Sequence, residues 1–568
     1  MAHQFKPVDR DSEMLLPHNM LDWVPEGHAV RVVIRTAGQL MTRDLTARLV
    51  PPSPKGTAAG PARYDPVMLL TVWMYAYLRG VLSARAVEDR CRYDATFRVA
   101  CGRAVPDHTT FSRFRQHLFA QDGLAEDLFC QVLHVCACAG PGRLSVVAAD
   151  GVKIAANASK EANRAEAGLR KLAAQVVGDA RTAAVSDAAE QDVLPGTGLL
   201  LEAGTAPDPR SRAGRVQSCL QDLEAAREAA EAQAREQGQA YLEALAAGTA
   251  GPGRVPPAVA LEAARLRLER TVAEEAATLR AWQARKAAGQ FVTRPPAAPG
   301  TGKKARAARA AIGKLQAQAA ADEAGSGAGP GDEAGTRKKK PHRNATDPDS
   351  RLMPVRGGGF IQGFNGQDAA ADDRLMLGGC ACQDTGDVLQ AQRLGGVAEK
   401  GAAVVAAGHA SHAGDPALLA PCHDRLCTLP EEDRHHPDHD VAACHHALTS
   451  GIGVLVEDAG FRSQANLEAP GPDRLIAGGK TRDVLRHDGQ PAASPAAAGP
   501  VEASARRLRT PEGRALYKRR APDVEGLHAS IKDDGGLRRF SVRGLRNVTS
   551  EFLFAGLARN LRLLVAIS

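Results

Sequence analysis

Three acidic residues stand where a fold could gather them for phosphoryl chemistry. Asp150 closes the apolar run SVVAA, Asp458 follows GVLVE, and Glu525 lies just after Pro522 and Asp523, which read as the opening of a helix. A carboxylate just past a buried strand is held rigidly and still reaches solvent, which suits a metal ligand. Two magnesium ions gripped by such oxygens can activate a water or a 3′-hydroxyl and stabilise the leaving oxygen of an in-line displacement. Taken singly, each acid has a plainer reading. Asp150 before Gly151 and Asp458 before Ala459-Gly460 are turn formers, and Glu525 is a first-turn residue favoured by the helix dipole.

The elements that would position these acids can be read from periodicity. LSVVAADGVKIAA, from Leu144 to Ala156, reads as a strand, a turn at Asp150-Gly151 and a second short strand. Strand character returns in GGGFIQGFNGQDAA, DRLMLGGCACQ, GIGVLVEDAGF and DRLIAGG, while PDVEGLHASIK and TSEFLFAGLARNLRLLVA read as helices. Nearer the N-terminus, Asp65 and Pro66 open a helix over the apolar run Val67 to Leu82, Ser83 restarts a second, and Asp107 caps a third. In that third helix Phe111, Phe114 and Leu118 share one face, and Thr110, Arg113 and His117 lie opposite. Such a helix could read DNA in a major groove or simply pack within a helical domain.

From about Asn157 to Ala345 the chain turns rich in Ala, Glu, Arg and Gln. Two long amphipathic helices are expected, separated by GTAGPGRVPP, with Leu261, Leu268, Val272 and Leu279 as the seam of a helical hairpin or coiled coil. A flexible basic linker, GSGAGPGDEAGTRKKKPHRN, closes this stretch, and residues 481 to 503 read as a loose loop. A helical N-terminus, a split sheet with a helical insertion and closing helices make an α/β or α+β catalytic domain.

At 568 residues the chain has room for about three to four units. The polar N-terminus reads unlike a secretory signal, and the run VMLLTVWMYAYLRGVL, interrupted by Arg79, reads as too short to span a bilayer. Eleven scattered cysteines show no disulfide framework and read as reduced thiols of a cytoplasm; the pairs Cys136-Ala-Cys138 and Cys380-Ala-Cys382 read as small buried residues. Cys422, Cys427, His435, His436, His439, Cys444, His445 and His446 invite a structural Zn2+ reading, yet their spacing fits no standard finger. Charge is more telling. Residues 501–568 hold 14 Lys and Arg against 7 Asp and Glu, an excess equal to the whole chain's net charge of +7. Arg506, Arg507, Arg509, Lys518, Arg519, Arg538 and Arg539 are candidates for contacts to a phosphate backbone, or an ordinary basic surface.

The segment YKRRAPDVEGLHASIKDDGGLRRFSVRGL places Tyr517, Arg520, Glu525 and Lys532 in an order that resembles the Y-R-E-K signature of bacterial insertion-sequence transposases of the DDE type. VVAADGVKIAANASKEANR and VLVEDAGFRSQANLEA resemble the blocks that carry the first and second acids of that family. YDPVMLLTVWMYAYLRGVLSARAVEDRCRYD and PDHTTFSRFRQHL resemble its N-terminal helical domain, and TDPDSRLM and FNGQDAA its intervening strands. The resemblance implies an α/β fold: a ribonuclease-H-like mixed sheet flanked by helices, interrupted by the helical insertion, with an all-α N-terminal domain.

It further implies that Asp150, Asp458 and Glu525 bind Mg2+, with Mn2+ as substitute, and cut DNA at terminal inverted repeats before strand transfer into target DNA. Tyr517, Arg520 and Lys532 would hold DNA phosphate, joined by Arg113, Arg538 and Arg539. The matching domains are 1–135, a helical DNA-binding domain; 136–160, the start of the catalytic domain; 161–345, the insertion and linker; and 346–568, its remainder. A homodimer or higher oligomer in a bacterial cytoplasm is expected, with no membrane partner. Where relatives follow the third acid with Pro and a Phe-Gly pair, this chain has Gly526, His528 and Ala529. A catalytically inactive transposase-derived repressor is the alternative of another class; a metal-binding or coiled-coil scaffold leaves the ordered blocks without a reason.

Overall fold

The Asp65 carboxylate accepts the Val67 N–H at 2.7 Å and Pro66 takes the first helical position, so the expected helix start is present in the computed structural model. The structure describes residues 19–40, 43–50, 63–103, 105–176, 178, 208, 211–249, 255–324, 341–355, 358–412, 451–479 and 499–567. They divide into two compact units, Met1–Ala162 with Thr346–Ser568, and Asn163–Ala345.

The first unit begins with α1 (Ala29–Gln39), α2 (Arg43–Leu49), α3 (Pro66–Leu78), α4 (Ala84–Tyr93), α5 (Ala95–Cys101), α6 (His108–Ala120) and α7 (Leu124–Cys138). Every residue of α3 from Leu69 to Leu78 is buried, as a helix apolar on all sides requires. Ser83 and Asp107 are the N-cap residues of α4 and α6, and α6 buries Phe111, Phe114 and Leu118. The periodicity did not separate α5 from α4. Asp94 ends one and caps the other, so no gap marks the boundary.

Strands follow as β1 (Val146–Ala155), β2 (Asn163–Ala165), β3 (His342–Asn344), β4 (Arg351–Pro354), β5 (Phe360–Ala371), β6 (Met376–Cys382), β7 (Val454–Glu457) and β8 (Arg474–Ile476). In the second unit β2 pairs β3. In the first, β5 lies between β1 and the pair β4 and β6, all antiparallel, while β7 and β8 extend the other edge of β1 in parallel. This is a mixed sheet in an α/β unit. The expected turn at Asp150-Gly151 is corrected: β1 runs straight through both residues, which pair with Asp368 and Gln367 of β5. Gly151 serves packing instead. A Cβ there would stand 2.5 Å from an Asp387 oxygen and 2.6 Å from the Gln367 amide nitrogen.

The second unit holds three long helices, α8 (Arg212–Ala246), α9 (Pro257–Ala287) and α10 (Lys303–Ala324), where the sequence led us to expect two. The seam is also corrected. Leu261, Leu268, Val272 and Leu279 are half-buried, whereas Val259, Ala263 and Leu266 of α9 are buried with Leu242 of α8 nearby. Gly238 allows this close approach, since a Cβ on it would meet the Ala263 nitrogen at 2.9 Å.

The first unit is completed by α11 (Ala391–His412), α12 (Pro500–Arg507), α13 (Pro511–Arg520) and α14 (Leu545–Ile567). The helix over Pro500 shortens the loop expected through residue 503. Helix α14 packs on α3, α6, α7 and β6 and is buried almost continuously from Glu551 to Leu561. Two of its buried polar residues are matched: Glu551 accepts the Tyr77 hydroxyl at 2.8 Å and the Ser541 N–H at 2.8 Å, and Asn560 bonds both the N–H and the C=O of Met376. Among the described residues eight cysteines are free, Cys136, Cys380 and Cys382 are buried, and no helix is long and apolar enough to cross a membrane. The His- and Cys-rich stretch considered for zinc lies outside the described residues.

Candidate active site

Parallel pairing of β1 with β7 brings the first two acids together. The last pair in register is Ala149 with Glu457, so Asp150 and Asp458 are the next residue on each strand. Asp458 leaves the sheet there and caps a short turn, its Oδ1 accepting the Gly460 N–H at 2.7 Å. Burial, reinforced by the Asp150 charge, pushes the Asp458 carboxyl above its usual range.

Glu525 arrives differently. The sequence led us to expect a helix opening at Pro522 and Asp523; that start is corrected, because Thr510 caps a helix that begins at Pro511 and continues past Arg520. Residues Ala521–Glu525 and Ser530–Asp534 form wide π-type turns separated by a normal turn, Gly526–Ala529. A proline lacks the N–H that an interior α-turn needs, and the first wide turn takes up Pro522. The two wide turns disturb the 3.6-residue repeat, so Glu525 and Lys532, seven positions apart, are not set on one face as they would be in a regular α-helix. Glu525 is exposed, whereas Lys532 is half-buried and its amine is lowered by burial.

Arg520, just before the first wide turn, is 6% exposed and donates from a terminal guanidinium nitrogen to Asp150 Oδ2 at 2.8 Å. Asp150 Oδ1 accepts the Gly151 N–H at 2.8 Å. Tyr517 is buried with Val146, Val456, Leu475, Ala477 and Leu508, so its ring belongs to the core beneath this helix. Among the described residues Glu525 makes no side-chain hydrogen bond or ion pair, and no three His, Cys, Asp or Glu side chains converge closely enough to hold a metal ion. As arranged here, with Arg520 on one Asp150 oxygen and Glu525 turned to solvent, the three acids do not fit a divalent cation.

Two further groups escaped the sequence reading. Asp368, opposite Asp150 on β5, is fully buried, and the His528 Nε2 lies 2.9 and 3.1 Å from its two oxygens. Burial raises the Asp368 carboxyl; burial alone would lower the His528 imidazole, but the neighbouring Asp368 raises it. Asp387 takes the Asn365 amide at 2.7 Å, the Gln367 amide at 2.6 Å and the Lys153 ammonium at 3.6 Å. Asp387 Oδ2 and Asp458 Oδ1 flank the point where a Gly460 Cβ would sit, at 3.1 and 2.8 Å, so the two charges lie within about 6 Å and oppose each other. The polar run Asn365 to Asp368 inside an otherwise apolar strand was the available signal.

The nucleic-acid candidates separate by exposure. Arg113, Arg538 and Arg539 are exposed, although Arg538 pairs with Asp533 at 2.5 Å and Arg539 reaches the Ala156 carbonyl at 3.3 Å. The other polar residues of α6 are engaged locally: Thr110 donates to Asp107, and a His117 ring nitrogen lies 2.9 Å from the Arg48 carbonyl.

Residues 18–117 match a family described as Transposase domain (DUF772), and residues 488–565 match one described as Transposase DDE domain. The chain carries two transposase domains. The matches bear out the resemblance to insertion-sequence transposases of the DDE type. The second covers Tyr517, Arg520, Glu525 and Lys532, while Asp150 and Asp458 fall between the two matched segments. No curated protein and no solved structure matches the chain.

Proposed function

We propose that this transposase cuts DNA at the ends of a mobile element and joins them to target DNA, with Asp150, Asp458 and Glu525 as the acids at the reacting phosphate. The observation that carries the reading is the meeting of Asp150 and Asp458 at adjacent positions of parallel strands, with Arg520 of the matched C-terminal domain reaching Asp150. The antiparallel β6–β5–β1 meander extended by parallel β7 and β8 supports a ribonuclease-H-like catalytic domain built from residues 136–160 and 346–568. On this reading residues 1–135 bind DNA, and 161–345 is an insertion.

A DDE domain implies divalent-metal dependence in general, and Mg2+, or Mn2+ in its place, is our assignment. Because the acids as arranged do not fit the ion, no step is derived through it. Arg520 and Lys532 are assigned to DNA phosphate, with Tyr517 holding the helix that presents them. The exposed Arg113, Arg538 and Arg539 suit backbone contacts whose strength falls with salt. A homo-oligomer acting on double-stranded DNA in a bacterial cytoplasm completes the proposal.

A second reading, a catalytically inactive repressor derived from a transposase, is favoured by one observation: both Asp150 oxygens already have partners. The deciding experiment compares wild type with D150A, D458A and E525A on duplexes carrying the element's inverted repeats, with Mg2+ or Mn2+. We expect wild type to cut and all three variants to bind without cutting. A wild type that binds these ends but never nicks them would favour the repressor.

A further inference from the structure

An open cleft of about 370 Å³ lies between the wide-turned helix and α14; Arg374, Arg559, Arg562, Ser530, Asp533 and Asp534 line it, with Gly526, the neighbour of Glu525, at its wall and none of the three acids in the lining. Arg559 is its unusual member. It is 7% exposed, its Nε is buried without a hydrogen-bond partner, and among the described residues its guanidinium makes no ion pair. A buried cation left unpaired is costly, and it persists in a native fold where something else answers its charge.

The neighbours make the deficit worse. Arg562 and Arg374 also carry positive charge toward Arg559, and burial with their repulsion lowers the Arg559 guanidinium to about 10. Arg562 is held by the Leu78 carbonyl at 2.6 Å and the Ser530 carbonyl at 3.1 Å, which fixes its position without cancelling its charge. The acids on the rim offset little: Asp533 is engaged by Arg538 at 2.5 Å, and Asp534 stands 3.9 Å from Arg562 and is largely exposed. Ser530 adds a hydroxyl, already 3.2 Å from Arg562.

We propose that this cleft is an anion site for a phosphate group, with Arg559 as its buried contact and Arg374 and Arg562 at its walls. Converging guanidiniums suit a multiply charged oxyanion with several acceptor oxygens better than a single carboxylate. The phosphate can come from a DNA backbone or from a free phosphate or nucleotide. The site involves none of the three acids, so it stands or falls separately from the catalytic reading.

The test uses the full chain and inorganic phosphate, followed by thermal melting and by 31P NMR titration against chloride at equal ionic strength. Wild type is expected to melt higher in phosphate. R559Q is expected to melt at least as high as wild type without phosphate, because it removes an unpaired buried charge, and to lose at least tenfold in phosphate affinity. R374Q, on the exposed rim, is expected to lose severalfold with no change in melting. Phosphate that shifts wild type no more than chloride does overturns the site, as does an R559Q or R374Q pair that both bind phosphate like wild type. A duplex arm identifies the source. If R559Q also weakens duplex binding and lowers its salt slope by about one, the phosphate belongs to DNA. Duplex binding unchanged alongside lost phosphate binding assigns the cleft to a free anion.

Discussion

Helix α14 and the wide-turned helix from Pro511 to Asp534 are neighbours in one unit and obey opposite rules. Helix α14 is regular, buried on nearly all sides, and its buried Glu551 and Asn560 have partners at every turn. The other helix breaks its own repeat twice and concentrates charge: Arg520 faces Asp150, His528 faces Asp368, and Glu525 faces solvent. One helix is built for stability. Local departures of the second kind, held in place by a well-packed surround, are where function is expected.

The contrast is broken or sharpened by substitutions, taken from the largest expected effect downward. Phe552→Ala in α14 should destabilise by about 3–5 kcal/mol, since its ring fills the space over Gly366 and Gly379; chemical denaturation measures this, and a loss below about 1 kcal/mol would contradict the core role. Arg520→Ala should cost about 3 kcal/mol by stripping the half-buried Asp150 of its cation; chemical denaturation measures this, and a loss below about 1 kcal/mol would contradict the pairing. His528→Ala should cost about 2 kcal/mol by stripping Asp368 of its partner. Were H528A as stable as wild type, the pair would not tie this helix to the sheet.

A smaller effect comes from outside both helices. Burial raises the Asp347 carboxyl to about 6, above its unfolded value of about 4, so the folded state favours the protonated form. The stability this group contributes is therefore present below pH 4 and lost as pH rises through about 6. Asp347→Asn should raise the melting temperature at pH 7.5 and leave it unchanged at pH 4; a shift at both would point to a different cause.

Much of the fold was legible because it follows local rules. Asp65-Pro66, Ser83 and Asp107 mark helix starts by capping chemistry, and the strands β5 to β8 appear as apolar runs. Asp150-Gly151 misled because Asp-Gly is a turn signal in isolation, whereas here the glycine makes room for Asp387 and Gln367, residues more than two hundred positions away. Pro522 misled for a related reason: a proline normally opens a helix, but a π-type turn can carry one in the interior. Of the candidate site, only residue types in an order could be read, a basic signature beside three acids. Its geometry could not, since the Arg520 contact to Asp150 and the outward turn of Glu525 depend on two wide turns that no residue pattern announces.

The claim that the irregular helix serves chemistry meets its most direct test in E525Q. Glu525 is exposed and, among the described residues, unpaired, so the stability of E525Q should lie within about 0.5 kcal/mol of wild type and it should bind the element's ends with undiminished affinity, while Mg2+-dependent cleavage of those ends is abolished. Cleavage at the wild-type rate by a folded E525Q would contradict the account.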